Sequence, residues 1–220
     1  MEVLFEDNHT IVVVKPPGLP VQGDDSGDES LLDQVKSHLK ESCGKPGDVF
    51  LGLVHRLDRP VGGVVVFGRT SKGASRLSEQ FRSRQVRKVY WAVVEGRPPE
   101  VSGQVRQWLK KDRQANRVRA CRTEVSGSQL AELWYKVLRS DGGLTLVEIR
   151  PETGRPHQIR VAMSSLGCPI LGDLKYGAKK GMEHEIALWA VSLEFQRPVG
   201  GDPVRVESRP DWDFIPGGRP

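Results

Sequence analysis

The chain has 220 residues, of which 37% are hydrophobic, so it is long enough to bury a full core in one large domain. Its three cysteines, at positions 43, 121 and 168, are far apart and form no Cys-x-x-Cys pair, which argues against a disulfide framework or a zinc site. The acidic N-terminus lacks the basic and apolar regions of a signal peptide, and no apolar run approaches the roughly 20 residues of a membrane span. We therefore expect a cytoplasmic protein without a membrane segment.

The net charge is +5, but the basic residues are concentrated in one segment. Between Arg82 and Arg122 there are twelve Lys or Arg and only three acidic residues. The basic residues of this segment alternate with apolar ones, so we expect them on folded strands. Such a block is typical of a protein that binds a polyphosphate, although a solvated charged face has the same composition.

The first part of the chain predicts a hairpin, a turn and a helix. Residues 2–14 are rich in β-branched residues around an Asn-His turn, which predicts two short strands. Pro17 and Gly18 fit the central positions of a type II turn. Ser30 and Asp33 form a capping pair before an amphipathic pattern that ends at Gly44, so a short helix is expected there.

The middle of the chain predicts a buried strand over residues 61–67, a second helix capped by Thr70 or Ser71, and then mainly strands. A strand is expected over 86–95, three more over 101–140 and another over 144–150. The predicted separators are Lys110-Lys111-Asp112, Ser126-Gly127-Ser128 and Asp141-Gly142-Gly143, the last being a strong hairpin signal.

A third helix is predicted after Pro151. Pro156 fits the first helical position and Gly167 the position just beyond the end. His157, Arg160 and Ser164 then share one polar, basic face near the positive end of the helix, which suits a phosphate or a carboxylate.

About nine or ten strands and three helices are predicted, without regular alternation of strand and helix. We therefore expect an α+β fold with a largely antiparallel sheet. One domain over residues 1–207 and a loose tail over 208–220 are expected. None of the common nucleotide, cofactor or hydrolase motifs is present, so no cofactor or metal is expected.

The stretch His55-Arg56-Leu57-Asp58 stands out, because it is followed by a proline, two glycines and the buried strand. This arrangement places the Asp58 carboxylate at the mouth of a rigid element, although an Asp at such a position is more commonly a solvated turn residue.

Four ordered stretches make the chain resemble the RluA-type pseudouridine synthases, over nearly its whole length from Val3 to about Pro198. The stretches are Lys15-Pro16-Pro17-Gly18-Leu19, His55-Arg56-Leu57-Asp58, Gly154-Arg155-Pro156-His157-Gln158-Ile159-Arg160, and Pro169-Ile170-Leu171-Gly172-Asp173 with Tyr176-Gly177. The resemblance implies a bifurcated, mostly antiparallel sheet and an enzyme that isomerises a flipped uridine in structured ribosomal or transfer RNA without a cofactor. It also implies a catalytic domain without a preceding S4 domain, and we expect a monomer.

The resemblance implies a role for particular residues. It makes Asp58 the catalytic carboxylate, Tyr90 the active-site tyrosine and Arg160 the arginine that pairs with Asp58. It makes Arg56 an RNA contact, and the neighbouring basic residues His55, Arg87, Lys88, Arg155 and His157 are further candidates for binding RNA. Asp58 would act as a nucleophile at C1′ or as a base at the ribose 2′ position. Tyr90 would stack on the uracil, although a core aromatic would fit the same alternating pattern.

The chain departs from the family pattern at three places. Val61-Gly62-Gly63 stands where Thr-Ser-Gly is usual, which is expected to loosen the loop beside Asp58. Pro156 replaces Thr or Ser, and Ala162 replaces a common His. The rival hypothesis is a non-catalytic RNA-binding or RNA-chaperone protein on the same fold. A small-molecule hydrolase that uses Asp58 with His55 or His157 is disfavoured, because no Ser or Cys nucleophile lies in a recognisable elbow.

Overall fold

The described residues form eleven β-strands and three α-helices. The structure is a computed structural model that describes residues 1–24, 27–43, 47–112 and 114–214. The chain divides into two compact units. The first unit is Met1–Arg87 with Ala190–Arg209, and the second is Lys88–Trp189 with the segment from Pro210. The first unit thus combines the N-terminal part of the chain with strands from near the C-terminus.

The first unit is built around a buried strand. Its strands are β1 (Glu2–Glu6), β2 (Thr10–Lys15), β3 (Gly52–Leu53), β4 (Gly62–Gly68), most of β10 (Leu188–Gln196) and β11 (Pro203–Glu207). β4 pairs antiparallel with β2 and β3 and also pairs with β10, so the sheet branches at this strand. β4 is buried over its whole length, as its run of β-branched residues predicts. Val64 and Val66 pack there with Val12 of β2.

Both helices of the first unit have the predicted caps. In α1 (Leu31–Cys43), the Ser30 hydroxyl accepts from the Asp33 N–H at 3.3 Å, and the Asp33 carboxylate accepts from the Ser30 N–H at 3.1 Å. The Ser30 hydroxyl also donates to the Asp33 carboxylate at 2.6 Å, and this bond and the one from the Ser30 N–H lower the pKa of Asp33. In α2 (Ser71–Arg82), Thr70 is the N-cap, and its hydroxyl accepts from the Gly73 N–H at 3.0 Å. The predicted end of α1 at Gly44 lies outside the described residues.

The second unit is an antiparallel sheet with one α-helix against it. Its strands are β5 (Arg87–Glu95, from Lys88), β6 (Ser102–Asp112), β7 (Arg117–Cys121), β8 (Ser128–Asp141) and β9 (Leu144–Pro151), in the order β5-β9-β8-β6-β7. Gly142 and Gly143 have φ of 57° and 81°, as the two central positions of a type I′ hairpin turn require. The helix α3 (Gln158–Ser165) packs on β6 and β7 over Leu109, Val118 and Val161.

The α+β fold with a mostly antiparallel sheet is confirmed, but three details of the prediction were wrong. Lys110-Lys111-Asp112 forms the end of β6 and not a separator, because the pairing with β7 continues through all three residues. α3 begins at Gln158 and not at Pro156, because His157 takes a left-handed conformation with φ of 52°. The strand β11 was not predicted. Gly167 does lie just beyond α3, with φ of 75°.

The segment after Ser208, which was expected to be a loose tail, includes a buried tryptophan. The Trp212 ring packs edge-on against Trp189 with 6.5 Å between ring centroids, and both belong to the second unit. This contact fixes the described part of the segment. Within the described residues, none of the helices is both long and apolar enough to cross a membrane.

Candidate active site

Asp58 lies in the first unit, on the loop between β3 and β4. The loop is anchored on both sides of the carboxylate, since Leu57 is buried and the Asp58 carbonyl accepts from the Val61 N–H at 3.0 Å. The Asp58 side chain is half-buried. Val61, Gly62 and Gly63, which were expected to loosen this loop, are all buried. Asp58 is therefore the first residue of a hydrogen-bonded turn that leads into the buried strand β4.

Lys15, at the end of β2, binds the backbone of this loop. Its side chain is fully buried, and its Nζ donates to the carbonyls of Pro16 at 2.9 Å, Leu19 at 2.6 Å and Arg59 at 2.9 Å. Arg59 directly follows Asp58, so the lysine joins the Pro-Pro-Gly turn to the loop that carries the carboxylate. Burial lowers the pKa of Lys15 to about 7, against the attraction of Asp58, which raises it.

The Pro-Pro-Gly turn makes a second connection to the same loop. Gly18 has φ of 80°, as the third position of a type II turn requires. Its N–H donates to the Arg59 carbonyl at 2.9 Å, and the Arg59 Nε donates to the Gly18 carbonyl at 2.9 Å. The Arg59 guanidinium also pairs with Asp24 and Asp28, which raises the pKa of Arg59. The backbone beside Asp58 is thus held by several independent contacts.

His55 and Arg56, which precede the carboxylate, have different surroundings. The His55 Nε2 accepts from the Val66 N–H of β4 at 3.0 Å, so the ring proton is on the other nitrogen, and the ring stacks on Phe81 with centroids 4.6 Å apart. These contacts give His55 a structural task within the first unit. Arg56 is exposed, which is compatible with its predicted contact to RNA.

Arg160, on α3 in the second unit, forms a buried two-pronged ion pair with Asp173. Its Nε lies 2.7 Å from one carboxylate oxygen of Asp173, and its Nη2 lies 2.8 Å from the other. The guanidinium also lies over the Tyr176 ring, 5.0 Å from the centroid. Such a forked pair fixes the plane of the guanidinium. The sequence predicts that the basic face of α3 suits a phosphate or a carboxylate. Within this unit, the Asp173 carboxylate pairs with Arg160 of that face.

The start of α3 is fixed by Gln158. Its side-chain oxygen accepts from the Thr153 hydroxyl at 2.6 Å and from the Arg155 N–H at 3.1 Å, while its Nε2 donates to the Glu132 carbonyl of β8 at 2.9 Å. Arg155 also donates from Nε to the Leu130 carbonyl at 3.1 Å. Arg155, predicted to bind RNA, thus ties the loop before α3 to β8.

The remaining predicted residues lie on β5. Tyr90 is half-buried in the second unit, opposite Ile149 of β9. Lys88 is half-buried in the same unit, and Arg87, at the end of the first unit, is exposed and 3.5 Å from Glu194. Asp58 belongs to one unit, whereas Tyr90 and Arg160 belong to the other, so their joint action stays a prediction.

A family model described as RNA pseudouridylate synthase matches residues 9–165. The chain belongs to the RNA pseudouridylate synthase family. It is 33% identical over 215 residues to ribosomal large subunit pseudouridine synthase C of Rickettsia conorii, which covers 96% of this chain and 69% of that relative. It is 37% identical over 197 residues to an RNA pseudouridine synthase of Zymomonas mobilis, covering 89% of this chain and 87% of the relative. These relatives confirm the RluA-type resemblance.

The fold agrees with solved structures of the same family. The structure of human RNA pseudouridylate synthase domain containing 4 has a TM-score of 0.79 and 29% identity, and the match covers 94% of this chain and 88% of that chain. The chain is therefore an isomerase that acts on RNA uridine. Among the described residues, no group of three or more His, Cys, Asp or Glu side chains is placed to hold a metal ion.

Two buried residues that contact the predicted site residues or their loops were not predicted to do so, namely Lys15 and Asp173. Lys15 was treated only as part of a turn, and Asp173 only as part of a loop. The available signal was their position inside the two supporting motifs of the family resemblance. In the structure both residues are buried: Lys15 contacts Arg59, which directly follows the His55–Asp58 stretch, and Asp173 contacts Arg160, the last residue of the Gly154–Arg160 stretch.

Proposed function

We propose that this pseudouridine synthase isomerises a specific uridine in structured ribosomal or transfer RNA, with Asp58 as the catalytic carboxylate. The observation that carries the proposal is the anchored loop of Asp58, which Lys15 and Gly18 hold through the Arg59 backbone. The large-subunit name of the Rickettsia relative favours ribosomal RNA. The proposal includes a cytoplasmic, monomeric enzyme that needs no metal or nucleotide cofactor.

The reaction breaks the bond between N1 of uracil and C1′ of ribose, turns the base and joins C5 to C1′. The proton on C5 leaves and N1 gains one, so the product is an isomer and no external reactant is needed. Asp58 attacks C1′ or removes the proton at the ribose 2′ position, and both routes require its ionised form.

Arg160 and Tyr90 complete the proposed site. The Arg160 guanidinium would pair with Asp58 and keep it ionised and oriented. Tyr90 would stack on the extruded uracil, and its phenol would help to remove the C5 proton if its surroundings lower its pKa from the ordinary value of about 10. Arg56, exposed on the Asp58 loop, would contact the RNA beside the flipped nucleotide.

RNA binding is supported by the charge of β6 and β7 in the second unit. Seven basic residues on or beside these strands are exposed, namely Arg97, Arg106, Lys110, Lys111, Arg117, Arg119 and Arg122. Lys110 and Arg119 face each other across the strand pair. Extruding a base from a stacked RNA costs a few kcal/mol, and phosphate contacts on this surface would offset that cost.

The test is the release of tritium from RNA labelled at uridine C5. The wild-type protein should release label from ribosomal or transfer RNA, and the two fractions assayed separately identify the substrate class. Asp58→Asn should abolish release, because it removes the ionised carboxylate. The matched control is Asp48→Asn, an exposed residue of the same unit, which should release label at the wild-type rate. Undiminished release by Asp58→Asn would refute the catalytic assignment.

A further inference from the structure

Tyr176 connects several parts of the second unit that the proposed mechanism leaves unexplained. It is buried at the end of a 3-10 turn, Leu174–Tyr176. Its phenol oxygen accepts from the Val118 N–H of β7 at 2.9 Å and lies 2.6 Å from the His157 Nδ1. The phenol therefore joins β7 to the first turn of α3.

Three residues of the polar face of α3 contact Tyr176. His157 contacts its phenol, the Arg160 guanidinium lies over its ring at 5.0 Å, and the Ser164 hydroxyl donates to its carbonyl at 2.7 Å. His157 also has φ of 52°, which is unfavourable for a residue other than glycine and persists only where neighbours enforce it. Tyr176 thus helps, together with Gln158, to hold the start of α3 in place.

The same residue limits the orientation of Arg160. Asp173 takes the Nε and Nη2 edge of the guanidinium, which fixes its rotation within its own plane. The Tyr176 ring restricts the tilt of that plane through a cation–π contact. A guanidinium held in both ways presents its Nη1 side in one direction. A second carboxylate can meet Arg160 productively only along that direction.

We propose that Tyr176 is a positioning residue of the isomerisation: it holds α3 and the Arg160 plane in the orientation in which Arg160 meets the catalytic carboxylate. This inference rests on the proposed pairing of Arg160 with Asp58. Tyr176 would touch neither the uracil nor the ribose. Its effect would therefore be on turnover rather than on RNA binding.

The test compares Tyr176→Phe and Tyr176→Leu with a matched control. Tyr176→Phe keeps the ring under Arg160 but loses the phenol contacts, and Tyr176→Leu loses both. Tyr135→Phe is the control, since Tyr135 is another buried tyrosine of the second unit. We expect kcat for tritium release to fall about tenfold in Tyr176→Phe and on the order of a hundredfold in Tyr176→Leu. KM should stay unchanged in Tyr176→Phe, which keeps the ring beneath Arg117 of the RNA-binding surface, and Tyr135→Phe should match the wild type.

The pH profile distinguishes positioning from a purely structural role. A displaced Arg160 stabilises the ionised carboxylate less, so the acid limb of log kcat should move to higher pH by about one unit in the Tyr176 variants. A structural role would lower the melting temperature without moving this limb. The assays are run well below each melting temperature, and if Tyr176→Leu does not fold, Tyr176→Phe carries the same test.

The failure of this inference and that of the proposed function give different results. If the wild type is active, Asp58→Asn is inactive, and folded Tyr176 variants keep the wild-type kcat or the wild-type acid limb, then only the positioning role of Tyr176 is wrong. If the wild type releases no tritium from either RNA fraction, the proposed function is wrong and this inference falls with it.

Discussion

Replacing Lys15 with Met should change how stability depends on pH. The pKa of Lys15 falls from 10.5 to about 7 because the side chain is buried, an effect that Asp58 opposes and Arg59 reinforces. Between these two values the folded protein carries a neutral amine, whereas the unfolded chain still binds the proton. Unfolding in this window therefore takes up a proton, which becomes less favourable as the pH rises, so the folded state becomes more stable relative to the unfolded chain.

The size of the effect follows from the pKa change. Within the window, Lys15 makes the free energy of unfolding rise by about 1.4 kcal/mol for each pH unit, and by about 5 kcal/mol in total. Below pH 7 both states bind the proton, so the contribution is constant there. Lys15→Met has no such proton and should lack this slope. The variant also leaves three backbone carbonyls without their donor, which lowers its stability at every pH.

Urea unfolding at several pH values below and above 7 measures this difference. The stability of the wild type minus that of Lys15→Met should be flat below pH 7 and rise above it. Lys40→Met, a change at an exposed lysine of α1, serves as the control and should follow the wild type throughout. Parallel pH curves for the wild type and Lys15→Met would show that burial does not lower the pKa of Lys15, and the reasoning would be wrong.

Two further predictions concern the backbone near the site and the RNA-binding surface. Gly63→Ala should lower the free energy of unfolding by about 3 kcal/mol, because the new Cβ would lie 2.3 Å from the Ala190 carbonyl oxygen at a φ of 118°. Gly127→Ala, at a φ of 77° with open space around it, should cost only about 1 kcal/mol by urea unfolding, and equal losses would contradict the steric argument. Lys110→Gln and Arg119→Gln should each reduce the slope of log RNA affinity against log salt concentration by about 1. An unchanged slope would show that these two side chains do not contact RNA phosphates.

The sequence was sufficient for most of the elements, because their signals are local. The Ser30–Asp33 capping pair and the Gly142-Gly143 turn depend on residues within a few positions, and both have the predicted geometry. The predicted start of α3 was wrong because a tertiary contact determines where this helix begins. His157 is held in the left-handed region beside Tyr176, which is 19 residues away in sequence.

The chemical state of a side chain was harder to predict than its element. Lys15 ends a strand that was predicted, but nothing local shows that three carbonyls from two separate loops surround its ammonium group. Asp173 is likewise one acid in a turn-rich loop until the fold places it against Arg160. Burial and pairing of charges depend on long-range contacts, which periodicity and composition do not encode.

The contacts explain why four stretches of sequence were needed to identify the family, although only two carry the proposed catalytic groups. In the first unit, the Lys15 to Leu19 stretch holds the loop of Asp58 through the Arg59 carbonyl. In the second unit, the stretch with Asp173 and Tyr176 holds Arg160 on α3. Each supporting stretch therefore contacts a catalytic stretch, or the residue that directly follows it, within its own unit. A carboxylate and a guanidinium that must meet in one geometry each need a rigid backbone and fixed neighbours. A substitution in either supporting stretch should therefore reduce turnover even where Asp58 and Arg160 are intact.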